Sequence, residues 1–197
     1  MKMKKLLIYA VLFCLSVILF NNCTGKSKSQ SSEKMVLTDN QLIQRGNYLV
    51  TIIGCSDCHS PKRMGPQGPE TIPELMLSGY PADLPIATID KNVLQNGWIL
   101  FSSDLCSTVG PWGVSFSANI TSDATGIGNW PKENFIRAMK LGNFKGIEGG
   151  RLLLPPMPWE DFAKMSDDDL NAVYAFLKST KPVHNVVPMA IAPADIK

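Results

Sequence analysis

The 197-residue chain is predicted to have an all-α fold, with one main domain whose helices are joined by long ordered loops. Apolar residues recur at helical spacing in three segments, 39–53, 131–141 and 167–181. No segment alternates apolar and polar residues over the length of a strand, so we expect no β-sheet. Residues 61–128 are rich in Gly, Pro, Ser and Asp, which indicates long loops.

The first helix is expected to begin at Thr38-Asp39 and to end at Gly54, because glycine commonly follows a helix C-terminus. Gly46 lies inside this helix, where glycine costs roughly 1 kcal/mol relative to alanine. Such a cost indicates that another backbone or a large ring lies very close to this position.

Two further long helices have recognisable ends. The last one has Ser166 as a candidate N-cap, acidic residues in its first turn, and Pro182 beyond its end. The middle one has Pro131 in its first turn and Gly142 after its last residue. Short helices are expected at two places in the loop region, 71–77 and 91–98.

The composition excludes two classes of protein. Hydrophobic residues make up 45% of the chain and charged residues 18%, which excludes a wholly disordered protein. The formal net charge of +2 is small, and no basic run occurs outside the N-terminus, so we expect no nucleic-acid partner.

The N-terminus has the pattern of an export signal. Basic residues precede the uncharged run 6–20, whose fifteen residues are fewer than the ~18 that a membrane-spanning helix needs. The alternative is a short anchor helix that stays attached.

Cys23 follows the apolar run and precedes a polar Ser/Lys-rich stretch. This arrangement resembles a bacterial lipoprotein signal, in which the cysteine becomes the lipidated first residue. Asn22 and Phe20 depart from the residues that this family prefers, so an ordinary signal with an unrelated cysteine is the alternative. We therefore divide the chain into a lipoprotein-type signal peptide (1–22), a flexible tether (23–37) and the main domain (38–197).

The motif Cys55-Ser56-Asp57-Cys58-His59 is the most specific feature of the sequence. Two thiols three residues apart at a helix end can add to the two vinyl groups of a haem, and the adjacent histidine can then bind the iron. A structural zinc site would need four ligands, and no second pair is present. A thioredoxin-like redox pair would need a βαβ context that the sequence does not show. One motif predicts one covalently bound haem c.

Met157 is the candidate for the second iron ligand. Prolines at 155, 156 and 158 stiffen its backbone and remove local donors, which suits a thioether held over a metal. A buried loop methionine is the alternative. Met139 and Met165 lie in or beside amphipathic helices, where methionine usually fills the core. His184 is the only further histidine.

With these motifs the chain resembles a class I c-type cytochrome, and more closely the bacterial family related to the cytochrome subunits of membrane alcohol dehydrogenases. The resemblance covers residues 41–188. Besides Cys55, Cys58 and His59, it rests on these motifs: Arg45-Gly46-x-Tyr48-Leu49, Gly110-Pro111-Trp112-Gly113-Val114, Ala118-Asn119-Ile120-Thr121, Thr125-Gly126-Ile127-Gly128-x-Trp130 and Pro155-Pro156-Met157-Pro158-Trp159.

The resemblance implies further roles. Asn119 and Trp130 would line the haem edge or its propionates. A proline carbonyl, that of Pro66 or Pro69, would accept a hydrogen bond from His59. The first and last helices would cross, with Gly46 against an aromatic ring such as Tyr174.

Cys106 is then left without a role. It is either a small buried hydrophobe or one half of a bridge to another protein.

The predicted function is one-electron transfer rather than catalysis on a small-molecule substrate. Met/His coordination leaves no open position on the iron. We expect a membrane dehydrogenase or respiratory complex as the donor and a terminal oxidase or another cytochrome as the acceptor. We also expect a lipid anchor at Cys23 on the periplasmic side of a bacterial membrane. One alternative is a haem enzyme, such as a peroxidase or a small-oxyanion reductase, with a displaceable sixth ligand. The other is a gas or redox sensor.

Overall fold

The computed structural model describes residues 37–196. The predicted signal peptide, Cys23 and the tether up to residue 36 lie outside the described residues, so the expectations for them stay predictions.

The three predicted long helices are present at the expected places. In chain order the helices are α1 (Asp39–Ile52), α2 (Cys55–His59), α3 (Lys91–Gln95), α4 (Lys132–Leu141), α5 (Trp159–Phe162) and α6 (Asp167–Ser179). Three short 3-10 turns occur at Pro73–Leu75, Phe144–Gly146 and Pro193–Asp195. Between residues 37 and 196, none of these helices combines the length and apolarity that crossing a bilayer requires.

Side-chain caps begin the first and last helices. Thr38 and Gln41 form a reciprocal capping box at the start of α1. The Ser166 hydroxyl accepts a hydrogen bond from the Asp169 backbone N–H at 3.1 Å, which confirms Ser166 as the N-cap of α6.

The prediction of an all-α fold without sheets is wrong. Five short strands form two antiparallel sheets: β1 (Lys62–Gly65) and β2 (Gly68–Thr71) in one, and β3 (Leu100–Phe101), β4 (Ser107–Gly110) and β5 (Gly113–Phe116) in the other. The two hairpins turn within the pairs Pro66-Gln67 and Pro111-Trp112. Strands of two to four residues are too short to show alternation. Three of the four residues of β4 are buried, so neither of its faces is exposed in the way that an alternating pattern would indicate.

The main core lies between α1, α4 and α6, with buried side chains from the intervening loops. Its buried members are Leu49, Val50, Leu77, Ile127, Phe135, Met139, Leu170, Ala172, Val173 and Leu177. A second, smaller core lies on the three-stranded sheet and consists of Val109, Val114 and Ile196. The backbone of Ile191 pairs with that of Val114, so the C-terminal segment is bound to the outer side of β5.

The close approach predicted at Gly46 is confirmed, but its partner is different. A Cβ atom at Gly46 would lie 2.0 Å from the Ala172 carbonyl oxygen and 2.7 Å from the Phe176 Cβ. Tyr174, the expected partner, instead packs against Phe135, with 5.5 Å between ring centroids. The absence of a side chain at Gly46 therefore lets the backbones of α1 and α6 cross in contact.

Candidate functional site

The two thiols and the imidazole of the C-x-x-C-H motif lie together on the short helix α2. Gly54 precedes this helix in the left-handed conformation, with φ of 71°, which reverses the chain after α1. Cys55 and Cys58 are half-buried free thiols. Residues three apart on a helix share one face, so α2 presents both sulfurs on the same side.

His59 is held in one orientation by a backbone carbonyl. Its Nδ1 lies 2.7 Å from the carbonyl oxygen of Ala118. A carbonyl can only accept, so Nδ1 donates and Nε2 carries the lone pair. Burial lowers the pKa of His59, and the hydrogen bond to Ala118 opposes this decrease. The ring is therefore a neutral imidazole whose Nε2 is suited to bind a metal.

The expectation that Pro66 or Pro69 supplies this carbonyl is wrong, since Ala118 does so. Both prolines are exposed on the β1–β2 hairpin. The sequence carries no signal for Ala118, because any residue type offers the same carbonyl.

Gly79 allows Ala118 to reach His59. A Cβ atom at Gly79 would lie 2.4 Å from the Ser117 carbonyl oxygen and 2.5 Å from the Ala118 carbonyl carbon. The Gly79 N–H also donates to the His59 carbonyl at 2.8 Å. Gly79 thus contacts both partners of the imidazole hydrogen bond, and no sequence motif marks this position.

Burial keeps the two thiols protonated. It raises the pKa of Cys55 to about 11 and also raises that of Cys58. Two neutral thiols beside a neutral imidazole suit the reduced, unmetallated motif, and these are the groups that thioether attachment of a haem would consume.

Met157 is half-buried in the loop before α5. It packs against the same main core that Cys55 contacts, so the structure brings these two residues to one cluster. Its N–H donates to the Leu154 carbonyl at 3.4 Å, and its own carbonyl accepts from the Trp159 N–H at 2.9 Å. The Ser115 hydroxyl donates to the Pro155 carbonyl at 2.7 Å, which attaches this loop to β5.

Asn119 is buried, and its side chain joins two loops. Its amide nitrogen donates to Thr125 Oγ1 at 3.0 Å and to the Val183 carbonyl at 2.8 Å. Its Oδ1 accepts from the Thr121 N–H and hydroxyl. Trp130 is half-buried against the main core. Asn119 therefore fixes the loop that carries Ala118, and its contact with a haem stays a prediction, as does that of Trp130.

His184 is 78% exposed and lies 3.6 Å from an Asp123 carboxylate oxygen. Among residues 37–196, no group of three or more His, Cys, Asp or Glu side chains is arranged to hold a metal ion. A haem brings its own four nitrogen ligands, and the two free thiols and the neutral imidazole on α2 are groups that suit a covalently bound haem.

No protein-family model matches the chain. Among curated proteins, it is 31% identical over 78% of its length to the cytochrome c subunit of the quinone alcohol dehydrogenase of Gluconobacter oxydans (strain 621H). It is also 31% identical over 78% of its length to the gluconate 2-dehydrogenase cytochrome c subunit of Pantoea cypripedii.

The fructose dehydrogenase cytochrome subunit of Gluconobacter japonicus is 28% identical over 77% of the chain. The aligned part amounts to 23%, 25% and 24% of these three relatives, so the chain spans about a quarter of their length. The resemblance predicted from the motifs is confirmed: the chain is a c-type cytochrome related to the cytochrome subunits of alcohol, gluconate and fructose dehydrogenases.

Proposed function

We propose that the chain is an exported cytochrome c with one haem, and that it carries single electrons from a dehydrogenase to a second redox protein. The observation that carries this proposal is the hydrogen bond from His59 Nδ1 to Ala118, which leaves Nε2 for iron on a helix that also bears both thiols.

The residues have distinct proposed roles. Cys55 and Cys58 form the thioether bonds, His59 is the proximal ligand and Met157 is the distal ligand. When bound, a haem supplies the one-electron couple of its iron. The protein would hold the imidazole through Ala118, keep Met157 in a loop that Ser115 attaches to β5, and exclude water with the core against which Cys55 and Met157 pack. A site closed by two protein ligands has no position for substrate, which favours a carrier over an enzyme.

Asn119 and Trp130 are proposed to border the haem. Asn119 would act from the loop that it braces, next to the carbonyl that holds His59. Trp130 would act as an apolar wall beside the main core.

The proposed donor is a membrane-associated dehydrogenase or respiratory complex, and the proposed acceptor is a terminal oxidase or another cytochrome. The names of the relatives, which are cytochrome subunits of alcohol, gluconate and fructose dehydrogenases, support the donor. A lipid at Cys23 on the periplasmic side would keep the carrier near these membrane partners at a high effective concentration.

Spectroscopy of the protein produced with c-type haem maturation tests this function. Acidified acetone should fail to extract the haem, and the mass should exceed that of the apo chain by one haem. The oxidised protein should be low-spin and show the weak band near the red end of the spectrum that sulfur-to-iron charge transfer produces. Extractable haem would contradict the cytochrome, and a high-spin spectrum would favour the haem enzyme instead.

A further inference from the structure

Lys62 joins three backbone positions beside α2. Its Nζ donates to the carbonyls of Asp57 (2.5 Å), Ser60 (3.2 Å) and Asp104 (2.9 Å). An ammonium group has three N–H donors, so each of them is used on a carbonyl oxygen. Asp57 and Ser60 lie at the C-terminal end of α2, and Asp104 lies in the turn before β4. Lys62 therefore fixes the end of the helix that carries His59 against the second sheet.

The positive charge of Lys62 is stabilised by the dipoles of backbone carbonyl groups and not by a direct ion pair with a carboxylate. Within residues 37–196, none of the ion pairs involves Lys62, whose side chain is half-buried. Carbonyl dipoles stabilise an ammonium without cancelling its net charge. A partly buried charge is also screened less by salt than one on the surface. The Lys62 ammonium therefore keeps its own charge at the end of α2, surrounded by carbonyl oxygens.

This charge lies close to the residues of the motif. The Asp57 carbonyl that Lys62 contacts belongs to the peptide bond that joins Asp57 to Cys58, and the Ser60 carbonyl belongs to the residue that follows His59. Asp57 and Asp104 carry charges of the opposite sign on the same two segments. Removal of the Lys62 charge would therefore change the electrostatic potential beside Cys58 and His59, where the edge of a haem would be bonded.

We propose that Lys62 is a positioning residue that holds the end of α2 and whose charge raises the reduction potential of the iron. This inference rests on the proposed function, because it requires a haem bound at Cys58. A fixed positive charge repels ferric iron more strongly than ferrous iron, so it favours the reduced state.

The reduction potential of the haem-loaded protein tests the role of Lys62. We compare the wild type with Lys62→Gln, Lys62→Met, Lys62→Arg and Arg63→Gln at low and high salt. Arg63 is the matched control, because it carries the same charge at the next position but is exposed. Lys62→Gln and Lys62→Met should lower the potential, and the decrease should persist at high salt. Lys62→Arg should retain the wild-type potential, and Arg63→Gln should do so at high salt.

An unchanged potential in both neutral Lys62 variants, or an equal decrease in Arg63→Gln at high salt, would overturn the proposal. Should the Lys62 variants fail to retain haem while Arg63→Gln retains it, the positioning role is supported. The wild-type protein separates the two hypotheses. If it binds no covalent haem, the proposed function fails and this inference fails with it. If it binds haem covalently and the potential is insensitive to Lys62, only this inference fails.

Discussion

The imidazole Nδ1 of His59 lies 2.7 Å from the carbonyl oxygen of Ala118, although 59 residues separate them in the sequence. Gly79 lies beside this hydrogen bond and leaves room for it, since a Cβ there would lie within 2.5 Å of the Ala118 carbonyl carbon. One position without a side chain thus determines how firmly the proposed proximal ligand is oriented.

Gly79→Ala should displace Ala118 and weaken its hydrogen bond to His59. A weaker hydrogen bond makes the imidazole a poorer electron donor, so the reduction potential should rise. Gly149→Ala is the control, because Gly149 also has positive φ, of 70°, but nothing lies within 4 Å of an added Cβ. Both variants should lose stability through backbone strain, by about 1 to 2 kcal/mol. Only Gly79→Ala should change the potential measured by redox titration, and equal potentials in the two variants would contradict this assignment.

Met157→Ala should keep the covalent haem, because Cys55, Cys58 and His59 are untouched. The sulfur-to-iron band should disappear, added cyanide should bind the sixth position, and the potential should fall, since a thioether favours reduced iron. Met189→Ala is the control, because Met189 is 81% exposed. Absorption spectra of both variants, with and without cyanide, measure these changes. A wild-type spectrum for Met157→Ala would exclude Met157 as the ligand.

Gly46→Ala should force α1 and α6 apart. The added Cβ would lie 2.0 Å from the Ala172 carbonyl oxygen, and overpacking of this kind costs about 1 to 3 kcal/mol. Alanine is otherwise the better helix residue, so a loss of stability cannot come from helix propensity. Guanidinium unfolding of the haem-loaded protein measures the change, with the exposed neighbour Asn47→Ala as the control. An unfolding midpoint for Gly46→Ala equal to that of the wild type would show that the helices can separate without cost.

Cys106 should be unreactive in the native protein. It is fully buried, and burial together with Asp104 raises the pKa of its thiol to about 12. The thiolate is the reactive form, so the neutral thiol should resist iodoacetamide at pH 8, and thiolate should form only as the pH approaches 12. After unfolding, one thiol per chain should react above the background given by Cys106→Ser. Fast labelling of Cys106 in the native protein would refute the buried thiol. If Cys106 is not labelled in the unfolded, unreduced protein, it forms a disulfide bridge instead.

Cys23→Ser should release the mature protein from the membrane into the soluble periplasmic fraction, because the proposed lipid is attached at that sulfur. The membrane and soluble fractions and the mass of the mature N-terminus provide the measurement. A variant that stays in the membrane, together with a wild type that carries no acyl mass, would refute the lipid anchor.

The helices could be predicted because their ends are marked by side chains. Ser166 caps α6 through its own hydroxyl, and glycine or proline follows each long helix. The strands could not be predicted, because strands of two to four residues have no room for alternation.

The residues of the site also fall into those that the sequence predicts and those that only the structure shows. Cys55, Cys58 and His59 have side chains whose spacing indicates their chemistry. Ala118 acts through its backbone, so its identity carries no information. Gly79 and Lys62 act through contacts that only the folded chain forms. The sequence therefore predicts the groups that would bind a haem, and the structure adds those that orient them.

The crossing of α1 and α6 also has a consequence for folding. Arg45 and Asp169 form an ion pair across it although 124 residues separate them. Closing a loop of that length costs about 4 kcal/mol of chain entropy before any contact stabilises it. Contacts between such distant partners form late, so newly made chains should pass through a period in which α2 is accessible and the two ends have not yet met. The enzymes that attach haem would then act on an open chain, and closure of the terminal helices would mark the end of maturation.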